Sequence, residues 1–226
     1  MKKTIAIVLC FLATGIHTNL KSQNTDMTEE QKFSYALGQN AAEYLKGAGV
    51  TLDVNALAEG GKDAVAGDSK FSTEEMNQVF MLLQMRMQEQ MNKAANEEKA
   101  RGLAFLAENK KKEGVVETPS GLQYKVITMG TGAKPTATDV VKVHYHGTTI
   151  DGVVFDSSVE RGEQITFPLN RVIKGWTEGL QLMPVGSKFI FWIPSDLAYG
   201  DQAPSEKIKP GSTLIFEVEL FDINPQ

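Results

Sequence analysis

The residues best placed to do chemistry crowd into "VKVHYHGTTIDGVVFDSS", Val141 to Ser158, where His144 and His146 stand one residue apart with Asp156 behind them. Side chains on a β-strand point to opposite faces in turn, so Val141, Val143 and Tyr145 share one face and Lys142, His144 and His146 the other. Two imidazoles on one face have the disposition to share a metal ion. No cysteine, third histidine or glutamate lies near them in sequence, however, and zinc sites take three or four ligands. The basic face therefore reads as a wet outer surface and not as a metal site. The face to follow is the apolar one, with its single hydroxyl at Tyr145. Asp151-Gly152, between apolar runs, signals a hairpin in which both turn residues take positive φ. It returns the chain as Val153-Val154-Phe155-Asp156.

The elements that must position these residues are short and alternating. From about Val115 onward the runs "LQYKVI", "VVKVHYHG", "VVFDSS", "QITFPL", "SKFIFWIP" and "STLIFEVELFDI" are bounded by Gly, Pro, Asp and Ser, the pattern of β-strands. One helix is predicted among them, from Val172 to Leu182. The C-terminal part, residues 115–226, is thus an α+β module: an antiparallel β-sheet wrapped around one short helix.

Residues 24–114 are written differently. Thr28 with Gln31 and Ser72 with Glu75 form capping boxes that open helices. The first helix runs through Phe33 and Leu37 to Leu45 and stops at Gly47. The second covers Val54 to Val65 and ends at Gly67. The third begins near Thr73 and meets no proline before Pro119; about forty helical residues make a rod of ~60 Å. Its first half, with Met76, Val79, Phe80, Met81, Leu82, Leu83, Met85, Met87 and Met91, is apolar on more than one face and must be covered on several sides. Self-association through residues 26–91, giving a homodimer, supplies that cover; a methionine-lined groove for unfolded chains is the other use. After Met91 the helix turns polar and reads as a solvated stalk, with "KKKEG" near Lys110 its wet end.

The chain opens with "MKKTIAIVLCFLATG", a basic start followed by an apolar run from Ile5 to Ala13, too short to span a bilayer and suited to an export signal over residues 1–23. Its one cysteine, Cys10, lies in that segment behind Leu9, which is not the small residue a lipid anchor requires. Removal of the signal leaves no thiol, which excludes disulfides, cysteine nucleophiles and thiolate metal sites. A net charge of −5 argues against a nucleic-acid binder.

Core-facing and loop-edge positions of the C-terminal half gather Tyr145, Phe155, Phe167, Val172, Ile173, Trp176, Tyr199 and Phe216, with Asp156 the only acid among them. Taken alone, Tyr145, Phe167 and Phe216 would serve as core in any small β-domain, Asp156 could cap its loop through Ser157 and Ser158, and Tyr199 could be a turn residue facing water. Taken together, "VHYHGTTIDGVVFDSS", "VIKGWTEGLQLMPVGSKFIFWIPSDLAYG" and "STLIFEVELFDI" resemble the FKBP-type peptidyl-prolyl cis-trans isomerases in order and spacing, over nearly the whole C-terminal half. The helical half resembles the dimerisation region of the two-domain, exported, Mip-like bacterial members. The resemblance implies an FKBP-like fold and a pocket of Tyr145, Phe155, Asp156, Phe167, Val172, Ile173, Trp176, Tyr199, Ile208 and Phe216. Trp176 would form the floor under the proline ring, Tyr199 and the Ile173 N–H would donate to substrate carbonyls, and Asp156 would polarise the site. It also implies clients that are unfolded or partly folded exported polypeptides containing X–Pro, a periplasmic or outer-membrane-associated location, possible macrolide inhibitor binding, and no cofactor. Two departures stand out. Ile165 replaces an aromatic wall, and "GDQAPSEKIKPGS" (Gly200–Ser212) lacks glycines common in that loop.

The residue chemistry agrees with that reading. Rotation about X–Pro meets a barrier of ~18–20 kcal/mol because amide resonance must be broken. No nucleophile is required; an apolar pocket that desolvates the amide and grips its twisted form suffices. The alternative is a chaperone or binding module with little or no isomerase activity.

Overall fold

The computed structural model describes residues 27–225; the export signal read at residues 1–23, with Cys10, lies outside the described residues. Three helices come first. α1 (Glu29–Gly47) opens on the Thr28/Gln31 capping box, with both reciprocal hydrogen bonds formed. α2 (Val54–Ala66) is capped by Asp53 and stops at Gly67. α3 (Thr73–Asn109) opens on the Ser72/Glu75 box and runs 37 residues, or about 55 Å at 1.5 Å per residue.

The first half of α3 leaves its apolar side chains bare: Phe80 is 56 % exposed, Leu82 58 % and Met85 64 %. The second half departs from the solvated stalk expected of it. Ala95, Gly102, Leu106 and Asn109 are buried, at offsets of seven, four and three that make one helical stripe. Small residues explain how a polar helix docks. A Cβ on Gly102 would lie 2.3 Å from Thr213 Oγ1, and one on Gly211 would lie 2.2 Å from the Ala95 carbonyl oxygen, so backbones meet where side chains would stand. Around this seam Arg101 donates to both carboxylate oxygens of Asp151 at 2.9 and 2.6 Å, and Lys99 reaches Asp196 at 2.6 Å. At its end Asn109 Nδ2 donates to Gln123 Oε1, while Gln123 Nε2 donates to the Leu106 carbonyl, each at 2.9 Å and buried.

The remainder is a seven-stranded sheet, antiparallel at every pairing. Its strands are β1 (Val115–Glu117), β2 (Gln123–Thr128), β3 (Val140–Thr149), β4 (Val154–Ser157), β5 (Ile165–Pro168), β6 (Lys188–Ile193) and β7 (Leu214–Ile223), in the order β1-β2-β6-β7-β3-β4 with β5 also paired to β3. β3 alternates strictly, with Val141, Val143 and Tyr145 buried and Lys142, His144 and His146 half-buried on the other face. The hairpin after it differs from the two-residue turn anticipated. Only Gly152 takes a positive φ, at 80°, because the loop is longer: Gly152 N–H donates to the Thr149 carbonyl, and Thr149 N–H to the Val153 carbonyl.

The helix expected from Val172 to Leu182 is also shorter. A 3-10 turn covers Leu169–Arg171, Val172 and Ile173 are extended, and α5 spans only Lys174–Leu180. Gly175 and Gly179 let α5 lie directly on Ile193 and Phe191 of β6, where any Cβ would come within 2.4 and 2.7 Å. A single turn, α4 (Ser158–Arg161), which the sequence reading did not anticipate, follows β4 and is capped by Ser157. The core lies between α5 and the sheet, around Leu180, Phe189, Phe191, Ile193 and Val218.

Candidate functional site

At one end of that core the packing opens. A cleft of about 650 Å³ is lined by Tyr145 of β3, Phe155 and Asp156 of β4, Phe167 of β5, Val172 and Ile173 ahead of α5, Trp176 of α5, Tyr199 and Ile208 between β6 and β7, and Phe216 of β7. Every residue placed in the pocket from the sequence thus meets its fellows in one concavity. Ile165, Arg171, Pro204 and Ser205 complete the lining. Ile165 occupies the wall position noted above, and Pro204, Ser205 and Ile208 bring the loop between Gly200 and Ser212 onto the rim.

Trp176 is the centre of the arrangement. It is 6 % exposed, and the rings of Phe216, Tyr145 and Phe167 stand 5.0, 5.2 and 5.3 Å from it, the first two nearly edge-on at 82°. Edge-to-face contacts at these separations are the favoured aromatic geometry and hold the indole in place. Its Nε1 is buried with no hydrogen-bond partner among the described residues. Phe155 packs edge-on against Phe216 at 5.3 Å. It fits only because position 147 has no side chain: a Cβ on Gly147 would lie 2.8 Å from the Phe155 ring and 2.9 Å from that of Phe216. Gly147 falls in phase with Val143 and Tyr145 on the inward face of β3, a signal legible in the alternation that the sequence reading did not use.

One polar knot interrupts the apolar lining. The Asp156 carboxylate accepts from the Tyr145 hydroxyl through Oδ2 and from Arg161 Nη1 through Oδ1. Arg161 Nη2 also donates to the Tyr145 oxygen at 3.1 Å, and its guanidinium carbon sits 5.8 Å from the ring centroid of Tyr145. Burial pushes the Asp156 carboxyl up, but the hydrogen bonds from Tyr145 and Arg161 outweigh it and hold the group below the usual carboxylate range. Burial, then the neighbouring carboxylate, raises the Tyr145 phenol, and the same two causes raise Tyr199. Both tyrosines are therefore neutral proton donors near pH 7. Asp156 has both oxygens engaged and is an anchor for its neighbours, poorly placed to act as a base.

Arg161 was missed from the sequence. Ser157 accepts from the Glu160 N–H at 3.1 Å, a serine cap with glutamate three residues on. That local pattern marks the single turn which carries Arg161 back over Asp156. Ile173, the residue just before α5, lines the cleft, and its N–H meets no acceptor among the described residues. Tyr199 is 38 % exposed at the rim, with no hydrogen bond from its hydroxyl to another described residue. His144 and His146 stay outside: their Nδ1 atoms pair with Ser158 Oγ at 2.9 Å and Ser157 Oγ at 3.0 Å.

What the arrangement can do follows from its parts. A ring-floored, largely apolar cleft with peripheral N–H and O–H donors can hold a prolyl ring and strip water from its imide. It offers no unengaged base beside a nucleophile. Comparison with known proteins agrees. Residues 131–221 match the family model described as FKBP-type peptidyl-prolyl cis-trans isomerase, and residues 30–126 match the domain amino-terminal to it. An FKBP-type peptidyl-prolyl cis-trans isomerase FkpA of Aeromonas hydrophila is 47% identical over 205 residues, covering 86% of this chain and 76% of the relative. The outer membrane protein MIP of Legionella longbeachae is 44% identical, covering 87% of this chain and 86% of its own. The crystal structure of FkpA from Escherichia coli superposes with a TM-score of 0.68 at 39% identity, over 88% of this chain and 98% of that one. The chain belongs to the FKBP-type peptidyl-prolyl cis-trans isomerases.

Proposed function

We propose that the cleft floored by Trp176 is the seat of isomerisation, and that it acts on X–Pro bonds of exported polypeptides that are still unfolded. The observation that carries this reading is the convergence of Tyr145, Phe155, Phe167 and Phe216 around a buried indole that opens to solvent. The planar imide is stabilised by resonance and by water on its carbonyl; the twisted form has lost most of the first and is less polar. A desolvating pocket raises the planar state relative to the twisted one, and contacts that fit only the twisted form lower the barrier itself. In this assignment Trp176 supports the proline ring, with Phe155, Phe167, Val172, Ile208 and Phe216 as walls. The Ile173 N–H and the Tyr199 hydroxyl donate to substrate carbonyls, and Asp156 fixes Tyr145 and Arg161.

The unit boundaries fit the same reading: residues 24–114 as assembly region and connecting helix, 115–226 as isomerase domain. The bare apolar side chains of α1 and the first half of α3, Phe33 (61 %), Leu37 (71 %) and Met85 (64 %) among them, support a homodimer through residues 26–91. The same surface supports a second reading, capture of non-native chains. The apolar start of the sequence supports export, and none of the described helices is long and apolar enough to cross a membrane. Protease-coupled isomerisation of a Leu-Pro peptide tests the site. Trp176→Ala should lower kcat/KM on the order of tenfold or more, and Tyr199→Phe severalfold, with far-ultraviolet circular dichroism retained; wild-type rates in both variants would undo the assignment. Light scattering at the monomer mass would remove the dimer.

A further inference from the structure

The cleft holds charge of both signs, unequally engaged. Asp156 and Arg161 satisfy one another on one side of it. Arg171 lines the same cleft, is exposed, and has neither an ion-pair partner nor a hydrogen bond from its side chain among the described residues. The other nearby cations are placed differently: Lys174 is not part of the lining, and Lys207 Nζ donates to the Val154 carbonyl at 3.1 Å.

The backbone that carries Arg171 is pinned. Leu169 N–H donates to the carbonyl of Asp139, the residue ahead of β3, at 2.9 Å, and Thr177 Oγ1 of α5 donates to the Leu169 carbonyl at 2.8 Å, tying the 3-10 turn down on both sides. Beyond it Val172 and Ile173 are extended, with ψ of 178° and 148°. An extended chain advances about 3.3 Å per residue. The Arg171 main chain therefore lies roughly 7 Å from Ile173, whose N–H is assigned to a substrate carbonyl, and 7 Å of extended substrate is about two residues. A guanidinium presents a planar fork of donors that matches a carboxylate in two-point contact.

We infer that Arg171 gives this isomerase a preference for clients with an acidic side chain within about two residues of the isomerised proline. The inference rests on the cleft as the isomerase site. Its expected size is that of a solvent-exposed ion pair, about 1.5- to 5-fold in kcat/KM. The main competing outcome is an arginine that stays in water while substrates of either charge pass equally well.

The test is a set of proline peptides carrying Glu, Gln or Lys at each of the two positions before and after the proline, assayed with the full chain. The readout is the Glu-to-Lys ratio of kcat/KM at each position, in wild type, Arg171→Gln and Arg171→Glu. Both substrates meet the same preparation, so partial loss of folded protein cancels from the ratio. At one position or more the ratio should fall severalfold in Arg171→Gln and further in Arg171→Glu. The difference should shrink between about 0.05 and 0.5 M salt, as the screening length falls from ~14 to ~4 Å. A ratio unchanged in both variants at every position overturns the inference and leaves the cleft assignment standing. Wild-type turnover of the Gln peptides by Trp176→Ala would instead remove the cleft assignment, and this inference with it.

Discussion

Glycine inside a helix is ordinarily a liability, so Gly102→Ala in α3 ought to stabilise the protein by ~1 kcal/mol. The seam between α3 and the sheet reverses that sign. The new Cβ would sit 2.3 Å from Thr213 Oγ1, 3.1 Å from Thr213 Cβ and 3.6 Å from its backbone nitrogen. Thr213 is 2 % exposed, just ahead of β7, and as a β-branched residue it has little rotamer freedom with which to yield. Overpacking at a site that cannot relax costs about 1–3 kcal/mol. With contacts this short the upper part of that range applies, and subtracting the helix-propensity gain leaves a net loss of ~1–2 kcal/mol. Both tryptophans, Trp176 and Trp192, lie in the C-terminal half, so urea unfolding followed by tryptophan fluorescence reports on the domain that α3 braces. The midpoint should fall in Gly102→Ala with the slope unchanged. Thr213→Ala removes the closest atom and should return part of the loss, giving a coupling of about 1 kcal/mol in the double-mutant cycle. A Gly102→Ala protein that is stabilised by ~1 kcal/mol would show that α3 does not dock as described.

Other outcomes follow from the same structure. Leu106→Ala, at a site 5 % exposed in the seam, should cost ~2–4 kcal/mol in the same unfolding assay. Arg101→Ala breaks an exposed pair with Asp151 and an i,i+3 pair with Glu98 on the same helix and should cost less than Leu106→Ala, on the order of 1 kcal/mol; equal losses would mean that charge, not packing, holds the helix. Asp156 titrates below its ordinary value because of Tyr145 and Arg161. Its contribution to stability is therefore complete above the unfolded value near ~3.9 and is lost as pH falls through the lower native one. Asp156→Asn should flatten that acid limb of a urea-midpoint profile, and an identical limb in both proteins would contradict the assignment. Tyr145→Phe should lower peptide isomerisation by loosening Asp156 and Arg161 while far-ultraviolet dichroism stays unchanged; a wild-type rate would count against the role of the polar knot.

Much of the C-terminal half was legible because its signals are local. Alternation in "VKVHYHG" separated the buried face of β3 from the histidine face, and Gly, Pro, Asp and Ser marked the strand ends. Membership of the pocket was legible only through resemblance, since Tyr145, Phe167 and Phe216 taken singly are ordinary core residues. What escaped the sequence depends on partners far along the chain. Ala95, Gly102, Leu106 and Asn109 form a stripe too small and polar to register as a buried face, and its meaning lies in Gly211 and Thr213, about a hundred residues away. Arg161 reads as a surface cation until the single turn of α4 brings it over Asp156. The shortened α5 has the same origin: Val172 and Ile173 have helical neighbours but are held extended as part of the cleft wall.

The seat of isomerisation can be read directly from the two indole N–H signals. Trp176 floors the cleft, whereas Trp192 lies in β6 outside its lining. Adding a Leu-Pro peptide to the nitrogen-15-labelled protein, while cis–trans exchange of the peptide is followed by magnetisation transfer, measures binding and turnover in one sample. The Trp176 signal should move and the Trp192 signal stay still as exchange accelerates. Accelerated exchange with the Trp176 signal unmoved would place the reaction elsewhere on the protein.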